Sequence, residues 1–593
     1  MMKSLKAGLP YKSIIIAFAI CFMMIAEHVC FTNASFPTTR MTLLMMLMFS
    51  TVLISRVRIK ELFQIPHFLG VIPVFLLMLL KKAIPFSDKL SLVFCAMNLI
   101  LYGVLLTFGI RRFVSRMKKS HYKSIMPFLK ANGLGLTGIL MLLFILVSNN
   151  EAKWPVYFLI VFLTNCLTQT EDNANTVELP GIINGIIMGF VIIQGHAFVL
   201  RPYDEPRYLG FYRNANINAM FYLVVMIALL AVNYHLLEKS AAGWKRLIVL
   251  LLICCDFSLC LLAGSRTVIA IMALLMFIGG LIVIIRFRYL KGVTFNKLMI
   301  NVGELVLVAA VGLVISFSAV RYLPPLFHHP VWFYEEYSEN KVHSFDPINS
   351  DKYCNPWTTT FGILRRFGYK EMESVSQEDS EKYIQNSDGN VVVRVENYNS
   401  DGTVSEENSY DITVARIKER DGQRVISYED GVEPGIDFEH PVFVAEDYSG
   451  LIGKFLRIRT HIFEYYWTES NFFGSDYEWN ACWITPTDIY DHAHNNVIEI
   501  AYCFGYIPAV LYFAEFVVYA FLFVERRKKH ISLSLKELFV LLVMTSVLVL
   551  GLTESTSFGF YFIWWIFFYS LNYGIFKKEE REEHNSDDKL SDT

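Results

Sequence analysis

The chain has 593 residues, 54% of them hydrophobic and 18% charged, with a formal net charge of −2 and a mean hydropathy of +0.40. Apolar runs of about 18 residues or more recur along it, which excludes a soluble globular chain and reads as a polytopic membrane protein. The basic residues sit in short clusters beside those runs, so no continuous basic stripe for nucleic acid is present.

In chain order, Lys3, Lys6 and Lys12 precede the first apolar run at about 13–31, which is too long for a signal peptide. Further spans are expected at about 41–57, 65–80, 90–110, 131–149, 154–170, 180–199 and 215–236. Spans at about 247–263, 267–285, 299–319, 495–524, 535–553 and 557–575 bring the total to about fourteen. The positive-inside rule fixes their alternation. It puts Arg56, Arg58, Lys60, the cluster from Arg111 to Lys123, Lys245, Arg246, the run from Arg286, the run from Glu525 to His530, Lys577 and Lys578 all in the cytoplasm. Both termini are then cytoplasmic. Residues 1–323 hold eleven spans, 494–576 the last three, and 577–593 form a charged cytoplasmic tail.

One large loop, about 324–493, is thereby expected outside. Within it, VVVRVENYNSDGTV and YDITVARIKERDGQRVISY alternate apolar and polar residues around Asp-Gly turns, the pattern of hairpins in a small β-rich insertion at about 335–450. The stretch Leu456 to Asn480 is aromatic-rich and is expected to lie against the membrane surface as helices. The ten cysteines show no CxxC spacing, so neither a zinc ribbon nor a redox motif is indicated. Cys354 and Cys482 fall in the loop, where a disulfide is an open alternative.

The loop closes on DHAHNNVIEIAYCFGYIP, Asp491 to Pro508, where a polar histidine-bearing segment runs into an apolar helix. Asn496 followed by Glu499 is a capping-box pattern, which places His494 just outside the first turn. The helix N-terminus favours anions and disfavours imidazolium, leaving a neutral ring able to accept a proton. The plainer alternative is that His494 and Asn495 only cap a helix at the water boundary. Three arginine-bearing segments break the charge rule by falling on the same outer side. RPYDEPRYLGFYRNANINAM carries Arg201, Arg207 and Arg213; the turn GSR carries Arg266; LRIRTHIFEYYW carries Arg457 and Arg459. Singly, each could be a snorkelling anchor. Converging opposite a histidine, their guanidinium forks suit a diphosphate, whose oxygens they bind bidentately.

GFYRNANINAM (210–220), GSRTVIAIMALL (264–275), RTHIFEYYW with NFFGSDY (459–477) and HAHNNVIEIAYCFGYIP (492–508) together resemble the bacterial O-antigen ligase and O-antigen polymerase superfamily. The resemblance covers about 180–524, and departs from the family in the longer loop and in Asp476 within NFFGSDY. It implies a GT-C-like, all-α polytopic fold and a glycosyltransferase of the bacterial cytoplasmic membrane. Its donor would be an undecaprenyl-diphosphate-linked oligosaccharide and its acceptor a glycan or lipid, within cell-surface polysaccharide assembly and alongside other assembly proteins. Arg266, Arg459 and His494 match the family's two arginines and histidine.

The expected chemistry is inverting transfer without cofactor or metal. Arg266 and Arg459 would stabilise the diphosphate leaving group, and His494 would act as base toward the acceptor hydroxyl. Arg213, Arg207, Arg457, Asn216, Asn495, Glu499 and Asp491 are expected to bind, orient or cap. Asp491, His492 and His494 could alternatively be read as a metal site, but ligand spacing elsewhere does not accompany them. The competing classes are a flippase of lipid-linked saccharide, pointed to by the intramembrane acids Asp256 and Glu515, and a sensor whose external unit binds a partner.

Overall fold

The computed structural model of the chain describes residues 11–32, 59–80, 84, 89–120, 125–150, 156, 158–160, 162–163, 177–199, 202–204, 207–208, 210, 215–238, 243–285, 310–312, 314–316, 318–319, 331–334, 342–345, 383–385, 390–398, 404–420, 423–427, 459–475, 482–483, 489–490, 492–527, 533–554 and 561–571. The helices used below are α1 (Tyr11–Thr32), α2 (Val71–Leu80), α3 (Lys89–Ser120), α4 (Ile125–Val147), α5 (Leu179–Val199), α6 (Ala215–Glu238), α7 (Gly243–Ala263), α8 (Arg266–Ile285), α9 (Arg459–Thr468), α10 (Asn496–Phe504), α11 (Tyr506–Arg527), α12 (Leu535–Gly551) and α13 (Tyr561–Ser570). Among the described residues six helices are long and apolar enough to cross a membrane: Cys95–Arg112, Leu179–Phe198, Ala215–Glu238, Gly243–Ala263, Arg266–Ile284 and Tyr506–Arg527. The chain is a helical membrane-embedded protein. The expected span at 41–57 lies outside the described residues.

Helix α6 is the axis of the bundle. From Ala219 to Val232 it is apolar on every side, and a helix of that kind is stable only when surrounded by other helices. It packs against α5, α7, α8 and α12, and its residues from Asn218 to Leu229 are all buried. A polar network closes its first turns. Tyr222 Oη donates to Gln194 Oε1 at 2.8 Å, and Gln194 Nε2 donates to Tyr208 Oη at 3.3 Å. Asn218 Nδ2 donates to the Tyr208 carbonyl at 3.3 Å. These bonds satisfy polar groups that would otherwise be buried unpaired. Two residues, Gly264 and Ser265, turn α7 into α8. The Gly264 N–H donates to the Cys260 and Leu261 carbonyls at 3.1 and 3.0 Å, which satisfies the carbonyls left open where α7 ends.

Outside the helices, strands β1 (Pro202–Asp204), β2 (Arg207–Tyr208), β3 (Val331–Tyr334) and β4 (Val342–Phe345) pair in the order β2-β1-β3-β4. Strands β5 (Tyr383–Gln385), β6 (Asn390–Tyr398), β7 (Val404–Arg420) and β8 (Gln423–Ser427) pair antiparallel in sequence order. Cys482–Trp483 pairs with Ile489–Tyr490.

Two expectations need correcting. The single helix read over 495–524 is two, α10 and α11, broken at Gly505. Gly505 adopts φ +101°, open to glycine and strained for other residues, and a Cβ there would collide with the Phe472 carbonyl. Pro508 then falls in the first turn of α11, where no intrahelical donor is lost. Of the stretch Leu456–Asn480, the described residues 459–475 form one ten-residue helix, α9, followed by the non-helical turn Asn471–Ser475. Within that turn the side-chain oxygen of Asn471 accepts the Phe473 N–H at 2.9 Å, a local bond that competes with helical bonding.

Candidate functional site

The N-cap of α10 is Asn495, one residue before the expected position. Its backbone is extended (φ −153°, ψ 121°), as a cap requires, and its side-chain oxygen accepts from Val497 N at 2.9 Å and Ile498 N at 3.2 Å. Asn496 is fully buried and turns inward, donating to Tyr512 Oη at 3.1 Å. Glu499 does not close a capping box. Its carboxylate reaches past the cap to accept the Ala493 N–H at 2.6 Å. Ala493 and Asn495 are thus both fixed, and the residue between them is forced into the left-handed region: His494 has φ +49° and is the one non-glycine residue with positive φ among the described residues. Such a conformation costs on the order of 1 kcal/mol and persists only where surrounding bonds impose it.

What that conformation achieves is a carboxylate contact the sequence reading missed. His494 Nδ1 lies 3.1 Å from Glu554 Oε2, and the other oxygen of Glu554 accepts from Arg459 Nη2 at 2.5 Å. The Glu554 side chain is 6% exposed, His494 12% and Arg459 25%. Asn495 Nδ2 donates to the Leu552 carbonyl at 3.1 Å, so the cap of α10 also holds the backbone of the glutamate's loop. The hydroxyl of Thr553 donates to that of Thr267 at 3.2 Å and ties the same loop to the first turn of α8, directly beside Arg266. Three of the four segments singled out in the sequence therefore meet at residues 552–554.

The electrostatics of the pair are asymmetric. Burial pushes the His494 imidazolium down, His492 and Arg459 add to that, and the bond to Glu554 opposes it; the ring stays below the usual histidine range. Desolvation, rather than the helix terminus, is the leading cause of that lowering. Burial alone would raise the Glu554 carboxyl, but the hydrogen bond from His494 and the charge of Arg459 outweigh it and hold the group below the ordinary carboxylate range. At neutral pH the partners are a carboxylate and a neutral imidazole, so Nδ1 carries the proton and donates to Oε2. Nε2 then keeps its lone pair and is the basic atom. The arrangement can take a proton from a hydroxyl at Nε2 while Glu554 steadies the imidazolium that forms.

Other expected residues are placed less closely. Arg459 sits at the first position of α9 with one guanidinium N–H committed to Glu554, which partly neutralises the charge expected to face a diphosphate. Arg266 begins α8 and Asn216 lies in the first turn of α6. Arg207 is placed by its backbone in β2, while Arg213, Arg457 and Asp491 lie outside the described residues. The His492 and His494 rings are 4.1 Å apart, centroid to centroid. Glu554 had one sequence signal: it is the sole charged residue between Glu537 and Lys577, and a lone ionisable group in an apolar stretch marks function by default. Compared with known proteins, the chain matches no family model, no curated protein and no solved structure.

Proposed function

We propose that the chain is a membrane glycosyltransferase that moves oligosaccharide from an undecaprenyl-diphosphate-linked donor to a hydroxyl of a glycan or lipid acceptor. The reaction takes place on the outer face of a bacterial cytoplasmic membrane, in O-antigen, capsule or exopolysaccharide assembly. The frame of this reading is about fourteen spans with both termini inside, and the large loop at about 324–493, with its β-rich insertion, outside. The observation that carries it is the chain of contacts Arg459–Glu554–His494, a base oriented by a carboxylate at a helix N-terminus, next to a second arginine segment. Nε2 of His494 takes the acceptor's proton as its oxygen attacks the anomeric carbon with inversion. The bond from that carbon to the diphosphate oxygen breaks, and the lipid diphosphate leaves with the electron pair. Arg266 and the remaining donors of Arg459 stabilise the charge gathering on it. The test is transfer of a labelled sugar from a polyprenyl diphosphate donor by the reconstituted chain, abolished in His494→Ala at equal protein level. Wild-type transfer by that variant refutes the reading.

A second reading, movement of lipid-linked saccharide across the bilayer, has its own observation. Asp256 in α7 and Glu515 in α11 are fully buried, and neither carboxyl has a hydrogen-bond partner among the described residues. Acids so placed accompany transport pathways in membrane proteins. Lipid flipping in vesicles without sugar transfer would select it.

A further inference from the structure

The turn Asn471–Ser475 and the end of α9 form an aromatic tip. Trp467, Phe472 and Phe473 are 51%, 54% and 56% exposed, although all three are large and apolar. Phe472 and Phe473 meet edge to face at 5.1 Å, and Trp467 lies 5.6 Å from Tyr506. The backbone beneath them is fixed from three sides. Asn149, just past the end of α4, donates its N–H to the Phe473 carbonyl at 3.1 Å and its Nδ2 to the Gly474 carbonyl at 3.4 Å. Ser475 N–H donates to the Tyr502 carbonyl at 2.8 Å, and Tyr506 Oη donates to the Ser470 carbonyl at 2.7 Å. Gly474, at φ +81°, lies so close to the Cys503 carbonyl that a Cβ has no room.

We infer that this tip is a docking surface for bilayer lipid, seated in the leaflet nearest α9 at the level where headgroups give way to acyl chains. Two observations favour lipid over a protein partner. The tip continues two apolar faces that the bundle leaves uncovered: Leu140, Phe144 and Val147 on α4, and Val510, Phe513 and Val517 on α11. It is joined to the ends of both helices, at Asn149 and at Gly505–Tyr506. The second observation is its backbone. Irregular chain is excluded from hydrocarbon because its polar groups go unpaired; here the Phe473 and Ser475 N–H and the Phe473 and Gly474 carbonyls are taken up by Asn471, Tyr502 and Asn149, and the turn's other backbone groups, unpaired among the described residues, need the water of the headgroup level. Aromatic rings on a turn that is bonded in part to protein and otherwise needs water suit the interface rather than the hydrocarbon core. Arg459 opens α9 and Trp467 lies near its close, so the anchor fixes the depth of the arginine relative to lipid phosphates. The docking surface itself does not depend on the transfer reaction.

The experiment uses the full chain in phosphatidylethanolamine–phosphatidylglycerol vesicles. Nitroxides are placed at Phe472→Cys and Phe473→Cys, in a background whose reactive native cysteines are replaced by serine, with the exposed Glu464→Cys as reference. Collisions with oxygen should exceed those with a water-soluble nickel chelate at 472 and 473, and the order should reverse at 464. Nickel collisions in excess at both tip positions overturn the proposal. So does protection from both reagents with dipolar broadening, which would mean a second copy of the chain, and so do lipid-like values that arise only after a polyprenyl diphosphate is added. Where labelled variants fail to fold, quenching by brominated lipids decides. Trp467→Phe should remove a quenched component from the intrinsic fluorescence, and an unchanged quenched fraction overturns the inference. Neither readout requires activity, so a chain that proves inactive in transfer can still be shown to dock.

Discussion

Replacing Glu554 by glutamine keeps the shape of the side chain and removes its charge. In the structure that carboxylate accepts from Arg459 at 2.5 Å and from His494 Nδ1 at 3.1 Å. Hydrogen bonds to charged groups contribute about 1.5–3 kcal/mol each. The introduced amide oxygen can still accept from Arg459, but its NH2 then faces Nδ1 and favours the tautomer with the proton on Nε2, the atom that has to accept one. If about 3 kcal/mol of the pair's energy goes to orienting the base, then at ~1.36 kcal/mol per decade transfer falls roughly 100-fold. Glu554→Asp, one methylene shorter, cannot span both partners and should fall in between. The acidic limb of the pH profile supplies a second readout. His494 sits below the usual histidine range, so the wild-type rate should hold at neutral pH and decline only as acid protonates the ring. The bond to Glu554 is what holds the ring up against burial, so Glu554→Gln should move that limb to still lower pH. The assay is initial rate of sugar transfer in vesicles, normalised to protein. A Glu554→Gln rate within threefold of wild type, with an unmoved limb, refutes the reasoning.

Arg266→Ala and Arg459→Ala should each lower transfer by roughly 100-fold, the scale of a lost charge-stabilising donor, with lysine rescuing only in part; near wild-type rates in both would remove the arginines from the site. His494→Gly and His494→Ala should be equally inactive, yet the glycine variant should be the more heat-stable by about 1 kcal/mol, because it relieves φ +49°. Stability should decline with acid. Both His494 and Glu554 are held below their unfolded-state values of 6.5 and 4.5, so their contributions are present above those values and are lost as pH falls through each folded value; Glu554→Gln should abolish the lower window, as followed by thermal melts in detergent. Single cysteines at 340 and 440 should label from outside, and those at 118 and 527 from inside; outside labelling at 118 would invert the frame of the proposal.

The long helices were legible because nothing in them conflicts. The runs read at 215–236, 247–263 and 267–285 are long, strongly apolar stretches, interrupted within 247–263 only by Asp256 and Ser258 among charged and hydroxyl residues, and α6, α7 and α8 match them within a few residues. The break at Gly505 was hidden, since a lone glycine is tolerated in a helix and what forbids a side chain there is a carbonyl 33 residues earlier, at Phe472. The cap slipped by one residue because Asn495 and Asn496 are equally good caps by type. Tyr512, four turns into the apolar run, decides between them by taking Asn496 inward. Arg459 and His494 could be nominated from composition and order, but their meeting point could not. Glu554 belongs to no local pattern, and its pairing with residues 95 and 60 positions away exists only in the folded bundle.

Those separations also set a timetable. At about 5–20 residues per second of synthesis, Arg459 and His494 leave the ribosome several seconds before the glutamate that joins them. Thr267 precedes Thr553 by 286 residues, a wait of roughly 15–60 s at the same pace. Helices α6 to α8 are therefore made well before the residues that complete the Arg459–Glu554–His494 contact, and α6 well before α12, one of the helices it packs against. The contact among Arg459, Glu554 and His494 can form only once the loop after α12 has been made and meets α8 and α10. A chain cut short before residue 552 would lack Glu554 and so never assemble the Arg459–Glu554–His494 contact.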